Sequence, residues 1–215
     1  MPRVGLLGDS VFDNGEYLDR ESDSVPNQLR EKLGEGSRVD LFAKDGHFIK
    51  DVVDQLEAVP ESVTHLVLSI GGDDALQFFS VLDGFEEETE TIGSALEDLA
   101  GLREEFELQY RRMMDQILDL ERPTVLCTIY EGDFPEIQTK VNTGLPILND
   151  VIVSVAEDHG LPVIDLNHLC YTKDHYVNSI EPSVKGGDVI ATVIAQVIEH
   201  HDFSSSRTVV YASAG

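Results

Sequence analysis

Five short apolar runs, separated by stretches of helical periodicity, constrain this 215-residue chain more than any other feature. The runs are Val4–Leu7, Val39–Ala43, His65–Ile70, Thr124–Tyr130 and Pro162–Leu166. They are continuous and rich in Val, Ile and Leu, as strands buried on both faces are. Between them the spacing predicts helices over Val25–Leu33, ending at Gly34, and Phe48–Ala58, stopped by Pro60. Further helices are expected over Ala75–Leu82, Leu102–Leu120, Ile147–Glu157 and Val184–His200. In the longest of these, Phe106, Tyr110, Met113 and Ile117 share one face and read as core, not as a cofactor site. The acidic stretch Phe85–Leu96 reads as either a loop or a solvated helix. Strand alternating with helix implies a parallel sheet covered on both faces, a three-layer α/β/α arrangement. Residues 1–202 form one expected domain and residues 203–215 a C-terminal tail, with Val209–Tyr211 either an added edge strand or loose.

Charge narrows the function classes. The chain carries 15 basic and 41 acidic residues, a net charge of −26. Phosphate binding needs Lys and Arg, so nucleic acid and anionic membrane surfaces are disfavoured. The acidic residues are either a solvated face or an adaptation to a salty interior, and a homo-oligomer is compatible with either. No apolar run approaches the roughly 18 residues of a membrane span, and no signal-peptide pattern precedes the first strand. Cys127 and Cys170 make neither a disulfide framework nor a metal motif, which together with the missing leader suggests a cytoplasmic protein. His200 and His201 fall at the end of the last helix, where a cation suits the helix dipole without any metal role.

The first run stops at Gly8-Asp9-Ser10. Gly8 permits a sharp turn that leaves Asp9 and Ser10 just past the carboxyl end of a strand, where ligands and chemistry gather in open α/β sheets. By itself Ser10 is either a helix cap or a nucleophile. Three further blocks fall on the same sheet edge or lead into the helix beside it: Asp45-Gly46, Gly71-Gly72-Asp73-Asp74 and Asn178-Ser179-Ile180-Glu181-Pro182-Ser183. In this order, the four blocks resemble the SGNH/GDSL hydrolase family over the whole chain except the tail. Asp13-Asn14 also resembles the extended first block of GDSL lipases. The resemblance implies a flavodoxin-like fold with a five-stranded parallel sheet in the order 2-1-3-4-5.

The resemblance also implies roles. Ser10 corresponds to the nucleophile, and its N–H and that of Gly46 to donors of an oxyanion hole. The family completes that hole with an asparagine and supplies the base and its orienting carboxylate from an Asp-x-x-His motif. Here those positions hold Asp73, Asn178 and Glu181. A free Glu is a weaker base than His by roughly two pK units, but burial into the range of about 6–7 suits both proton transfers. The Asn178 amide is then expected to donate to Glu181. Otherwise Glu181 merely caps the last helix beside Pro182 and activity is lost. His175 is the alternative base, and His47, beside Gly46, a substrate contact. An ionised Asp73 donates no hydrogen bond and opposes an oxyanion, whereas a protonated one donates. Asp9, with Asp73, Asp74 and Glu181, is expected to lie near Ser10 and share protons. The expected function is a serine ester hydrolase acting on small acyl esters without cofactor or metal. The alternative is a catalytically weak binding protein for an acyl or sugar ligand. No compact loop motif supports a divalent cation on Asp9, Asp73 and Glu181.

Overall fold

The computed structural model describes residues 1–85 and 91–213. The strands are β1 (Arg3–Gly8), β2 (Arg38–Leu41), β3 (His65–Ser69), β4 (Thr124–Cys127), β5 (Val163–Ile164) and β6 (Val210–Tyr211). The helices are α1 (Val25–Leu33), α2 (Val52–Leu56), α3 (Gly72–Phe85), α4 (Ile92–Leu118), α5 (Gln138–His159), α6 (Leu166–Leu169) and α7 (Val184–His200). All strand pairs are parallel, in the order β2-β1-β3-β4-β5-β6. The expected order holds, with a sixth strand added at the edge.

Side chains alternate across the sheet with the period of two that strands impose. Val4, Leu6, Val67, Val125 and Ile164 join Leu29 of α1 and Ile190, Ile194 and Val197 of α7 in one core. Leu7, Leu66, Leu68, Leu126 and Val163 join Met114 of α4 and Leu148 and Ile152 of α5 in the other. The apolar runs are therefore buried on both faces, which explains their lack of polar alternation.

Several helix boundaries differ from the sequence expectation: α2 is confined to Val52–Leu56 and α3 extends over Gly72–Phe85. α4 begins at Ile92, ten residues before Leu102, because the Thr91 hydroxyl caps it by accepting from Ser94 N–H at 3.1 Å. Of the stretch Phe85–Leu96, residues 86–90 lie outside the described residues, and Ile92–Leu96 is the first turn of α4. α5 begins at Gln138, not Ile147, and runs through Pro146, because Val141 and Leu145 carry its buried face upstream of the proline. Four of the five expected strands shorten, whereas β1 extends by one residue at each end.

The tail is not loose. Val163 N–H donates to Val209 O and Asp165 N–H to Tyr211 O, both at 2.9 Å, which docks β6 on β5. Phe203 packs edge-on against His65 and His201, with ring centroids 5.2 and 4.8 Å apart. His201 Nδ1 also meets the Tyr211 hydroxyl at 2.9 Å, and burial lowers its pKa. His201 thus anchors the tail and does not serve as a charged end to α7.

Candidate active site

Every motif singled out in the sequence lies beyond the carboxyl ends of β1, β2 and β3 or in the loop before α7. Gly8 makes the first turn possible: its φ is +135°, and a Cβ there would stand 1.7 Å from Ser69 O. Gln55, buried on α2, accepts from Gly8 N–H at 2.8 Å and donates to Gly8 O at 2.7 Å, so the end of β1 is clamped on both sides. The same Gln55 amide nitrogen lies 2.9 Å from His47 Nδ1. With that amide oriented by Gly8, Nδ1 accepts and the imidazole proton sits on Nε2. His47 therefore faces, through Nδ1, the clamp that supports Gly8.

Asp9 is 2% exposed. One carboxylate oxygen accepts from Val11 N–H at 3.1 Å and the other from Gly72 N–H at 3.3 Å. This ties the Ser10 turn to the start of α3, where Asp73 stands. Burial pushes the Asp9 carboxyl up to about 7, opposed by those N–H groups and reinforced by the charges of Asp73 and Glu181. Among the described residues, the N–H groups of Ser10 and Gly46 donate to no protein acceptor. Gly46 sits in a turn at φ +76°, held through Asp45 N–H, which donates to Asp13 Oδ2 at 3.0 Å.

Glu181 is 3% exposed, and the Ser10 hydroxyl lies close enough to its carboxyl group to lower its pKa. Burial raises it to about 7; the serine hydroxyl lowers it, and Asp45, Asp73 and Asp13 raise it further. The turn that presents it is built by Asn178, but not in the expected way. Asn178 Oδ1 accepts from the N–H groups of Ile180 and Glu181 at 2.9 and 2.8 Å, so Asn178 fixes the backbone and makes no donation to the carboxylate. Val177 N–H closes the loop on Glu181 O at 2.9 Å. Three outside groups seat it: Tyr130 hydroxyl on Ile180 O at 2.5 Å, Asp133 N–H on Ser179 O at 2.7 Å, and Asn14 Nδ2 on Pro182 O at 3.2 Å.

His175 does not meet Ser10. It is buried on the far side of this loop, with its ring edge-on to Tyr171 and its carbonyl accepting from Ser183 N–H. Burial, and then Lys185, lower its pKa. Asp73 is half-buried at the start of α3, and burial, then Asp45, raise its pKa. Asp74 turns away and accepts from Ile49 N–H at 3.1 Å. Among the described residues no group of three His, Cys, Asp or Glu side chains is placed to hold a metal ion.

Beside Ser10 lies a cavity of about 50 Å³. Asp9, Ser10, Asp73 and Glu131 are among its lining residues, together with apolar side chains that include Leu76, Phe79, Ile129, Phe134, Val141 and Leu145. A water-sized occupant needs roughly 10–15 Å³ of such volume, so the cavity has room for a small group.

Residues 6–187 match the model of the GDSL-like lipase/acylhydrolase family. The chain belongs to that family. No curated protein matches it. Solved structures with the same fold include a lipase from a goat rumen metagenome, at 17% identity and a TM-score of 0.70, covering 90% of this chain and 96% of the other. The lipase/acylhydrolase of Enterococcus faecalis is 20% identical with a TM-score of 0.66, covering 93% and 96%. An acetyl xylan esterase is 18% identical with a TM-score of 0.68, covering 91% and 99%.

Within this GDSL-like chain, two supporting residues escaped the sequence reasoning. Gln55 clamps Gly8, and Asn149 accepts from Ile129 N–H and donates to Ile129 O, both at 2.8 Å, clamping the exit of β4 in the same manner. The available signal was a carboxamide on the apolar face of a helix, since a buried amide needs a backbone partner.

Proposed function

We propose that this GDSL-like protein hydrolyses small acyl esters through an acyl-enzyme on Ser10, with Glu181 as the base. The buried Glu181 carboxyl beside the Ser10 hydroxyl, which itself lines the cavity, carries the proposal. Ser10 Oγ attacks the ester carbonyl carbon while its proton passes to Glu181. The N–H groups of Ser10 and Gly46 receive the oxyanion. The bond to the alcohol oxygen then breaks, and Glu181 returns the proton to that oxygen. Water attacks the acyl-enzyme, gives its proton to Glu181 and releases the acid, and the proton goes back to Ser10. A carboxyl raised to about 7 serves both directions of transfer near neutral pH. The narrow apolar cavity supports a short acyl group.

Labelling by a fluorophosphonate probe, with p-nitrophenyl acetate turnover, tests the proposal. Ser10 should be labelled, and Ser10→Ala should lose both label and turnover. Asp73 in the place of a neutral donor favours the second possibility, a binding protein. An unlabelled chain that retains an acyl ligand would decide for it.

A further inference from the structure

The cavity beside Ser10 follows the seam between α3 and α5. Gly72 N–H donates to Asp9, so α3 starts at the Ser10 turn and runs away from it. Leu76 and Phe79 face the cavity one and two turns further on. At a rise of 1.5 Å per residue, Phe79 stands about 10 Å along the helix from Gly72. The carboxylates of the lining do not share that depth. Asp9 and Asp73 flank the Ser10 turn, and exposed Asn142 of α5, with its amide turned to satisfy its neighbours, donates to Glu131 Oε2 at 3.1 Å. The far end is apolar, made by Phe79 with Val141 and Leu145 of α5.

Phe79 closes the seam. A Cβ on Gly144 would stand 2.7 Å from Phe79 Cε1 and 3.3 Å from its Cζ, so the edge of the buried ring rests on the α5 backbone. Phe78 meets the Phe79 ring edge-on, with centroids 5.4 Å apart. Glycine inside a helix is unfavourable beside alanine. Here it lets an aromatic ring from α3 reach across to α5. The acyl half of an ester stays tethered to a serine until water releases it, whereas the alcohol half must leave first. A cavity walled at its far end suits the tethered half.

We propose that Phe79, seated on Gly144, is the wall that sets acyl length, limiting the cleft to acyl chains of about two to four carbons. The use of this wall in hydrolysis rests on Ser10 as nucleophile; the wall itself does not. On p-nitrophenyl esters, the parent should favour acetate over hexanoate in kcat/KM by about tenfold or more. Phe79→Ala should raise the hexanoate-to-acetate ratio by about tenfold or more, and Phe79→Leu, which disturbs the core less, should raise it to a smaller extent. Gly144→Ala presses a methyl group on the ring and should lower the butyrate-to-acetate ratio. That effect should vanish when Phe79 is already alanine, because the two residues act through one contact. Phe203→Ala, in the tail, should leave the chain-length profile unchanged. In the Ser10→Ala background, where an ester binds without turnover, Phe79→Ala should strengthen methyl hexanoate relative to methyl acetate in calorimetry.

A chain-length profile that neither Phe79→Ala nor Phe79→Leu alters would overturn the proposal. So would an equal change in Phe203→Ala, since general loosening would then account for it. A shift in preference between ethyl and hexyl acetate, with the acyl series unmoved, would assign the cavity to the alcohol and overturn the proposal as well. Hydrolysis of no ester, with the binding preference still shifted by Phe79→Ala, would overturn the nucleophile and leave the wall standing. Neither hydrolysis nor a shifted binding preference would overturn both.

Discussion

Glu181→Gln separates the cost of the proposed base from its use. Gln keeps the shape and removes the charge. In the folded chain the Glu181 carboxyl is raised from 4.5 to about 7. Each pK unit corresponds to about 1.4 kcal/mol, so an ionised Glu181 costs the fold about 3 kcal/mol above pH 7. The sign follows from proton binding. Between the unfolded and folded pKa values the folded chain holds the extra proton, so its stability falls as pH rises through that window. Below about pH 4.5 Glu181 is protonated in both states and the penalty is absent. Glu181→Gln should therefore gain about 3 kcal/mol relative to the parent between pH 4.5 and pH 8. For a chain of this length that is about 6–12 °C in Tm. Any cost of an imperfectly paired buried amide does not vary with pH and cancels from this difference. Urea unfolding of both proteins at pH 4.5, 6 and 8 supplies the comparison. The variant should also lose ester hydrolysis, and in the parent kcat/KM should rise with pH through about 7 as the base ionises. Parallel stability curves would refute the buried, raised carboxyl, and undiminished hydrolysis by Glu181→Gln would refute its role as base.

Asp73→Asn should raise kcat/KM on a short ester by about tenfold or more, the scale of one oxyanion donor, with the gain shrinking at low pH as the parent Asp73 protonates; a slower variant from pH 5 to 8 would refute this. Asn178→Ala should lower kcat with little change in KM by releasing the turn that presents Glu181, and Asn178→Asp, which keeps the accepting oxygen, should recover most of it. Gln55→Leu should cost about 1–3 kcal/mol in urea unfolding, because it strands the N–H of buried Gly8, whose C=O keeps only the bond from Lys44 N–H. The Tm should rise from low salt to about 1 M KCl, where screening shortens to about 3 Å, because 15 basic residues cannot neutralise 41 acidic ones; the exposed pairs Arg103–Asp150 and Arg111–Asp158 lose little in exchange, and a flat or falling Tm would refute dominant self-repulsion.

The parallel sheet and the edge that gathers the motifs were legible in the chain because they follow from local periodicity and chain order, and the strand order was implied by the family resemblance. Continuous Val-, Ile- and Leu-rich runs fit only strands covered on both faces, and alternation with helices leaves few ways to connect them. The places of Ser10 at the first turn and Glu181 before the last helix were legible for the same reason, while the roles expected of them came from the family resemblance. Three matters needed the tertiary structure. His175 and Glu181 are six positions apart in one loop, and only the bonds from Asn14, Tyr130 and Asp133 turn Glu181 toward Ser10 and leave His175 behind. The roles of Gln55 and Asn178 lie in which backbone groups they meet, which no periodicity encodes. The raised carboxyls of Asp9 and Glu181 depend on burial and on charges brought from four separate segments of chain. Residue type and spacing determine where the chain turns; desolvation and long-range contact determine the chemistry of the side chains gathered at those turns.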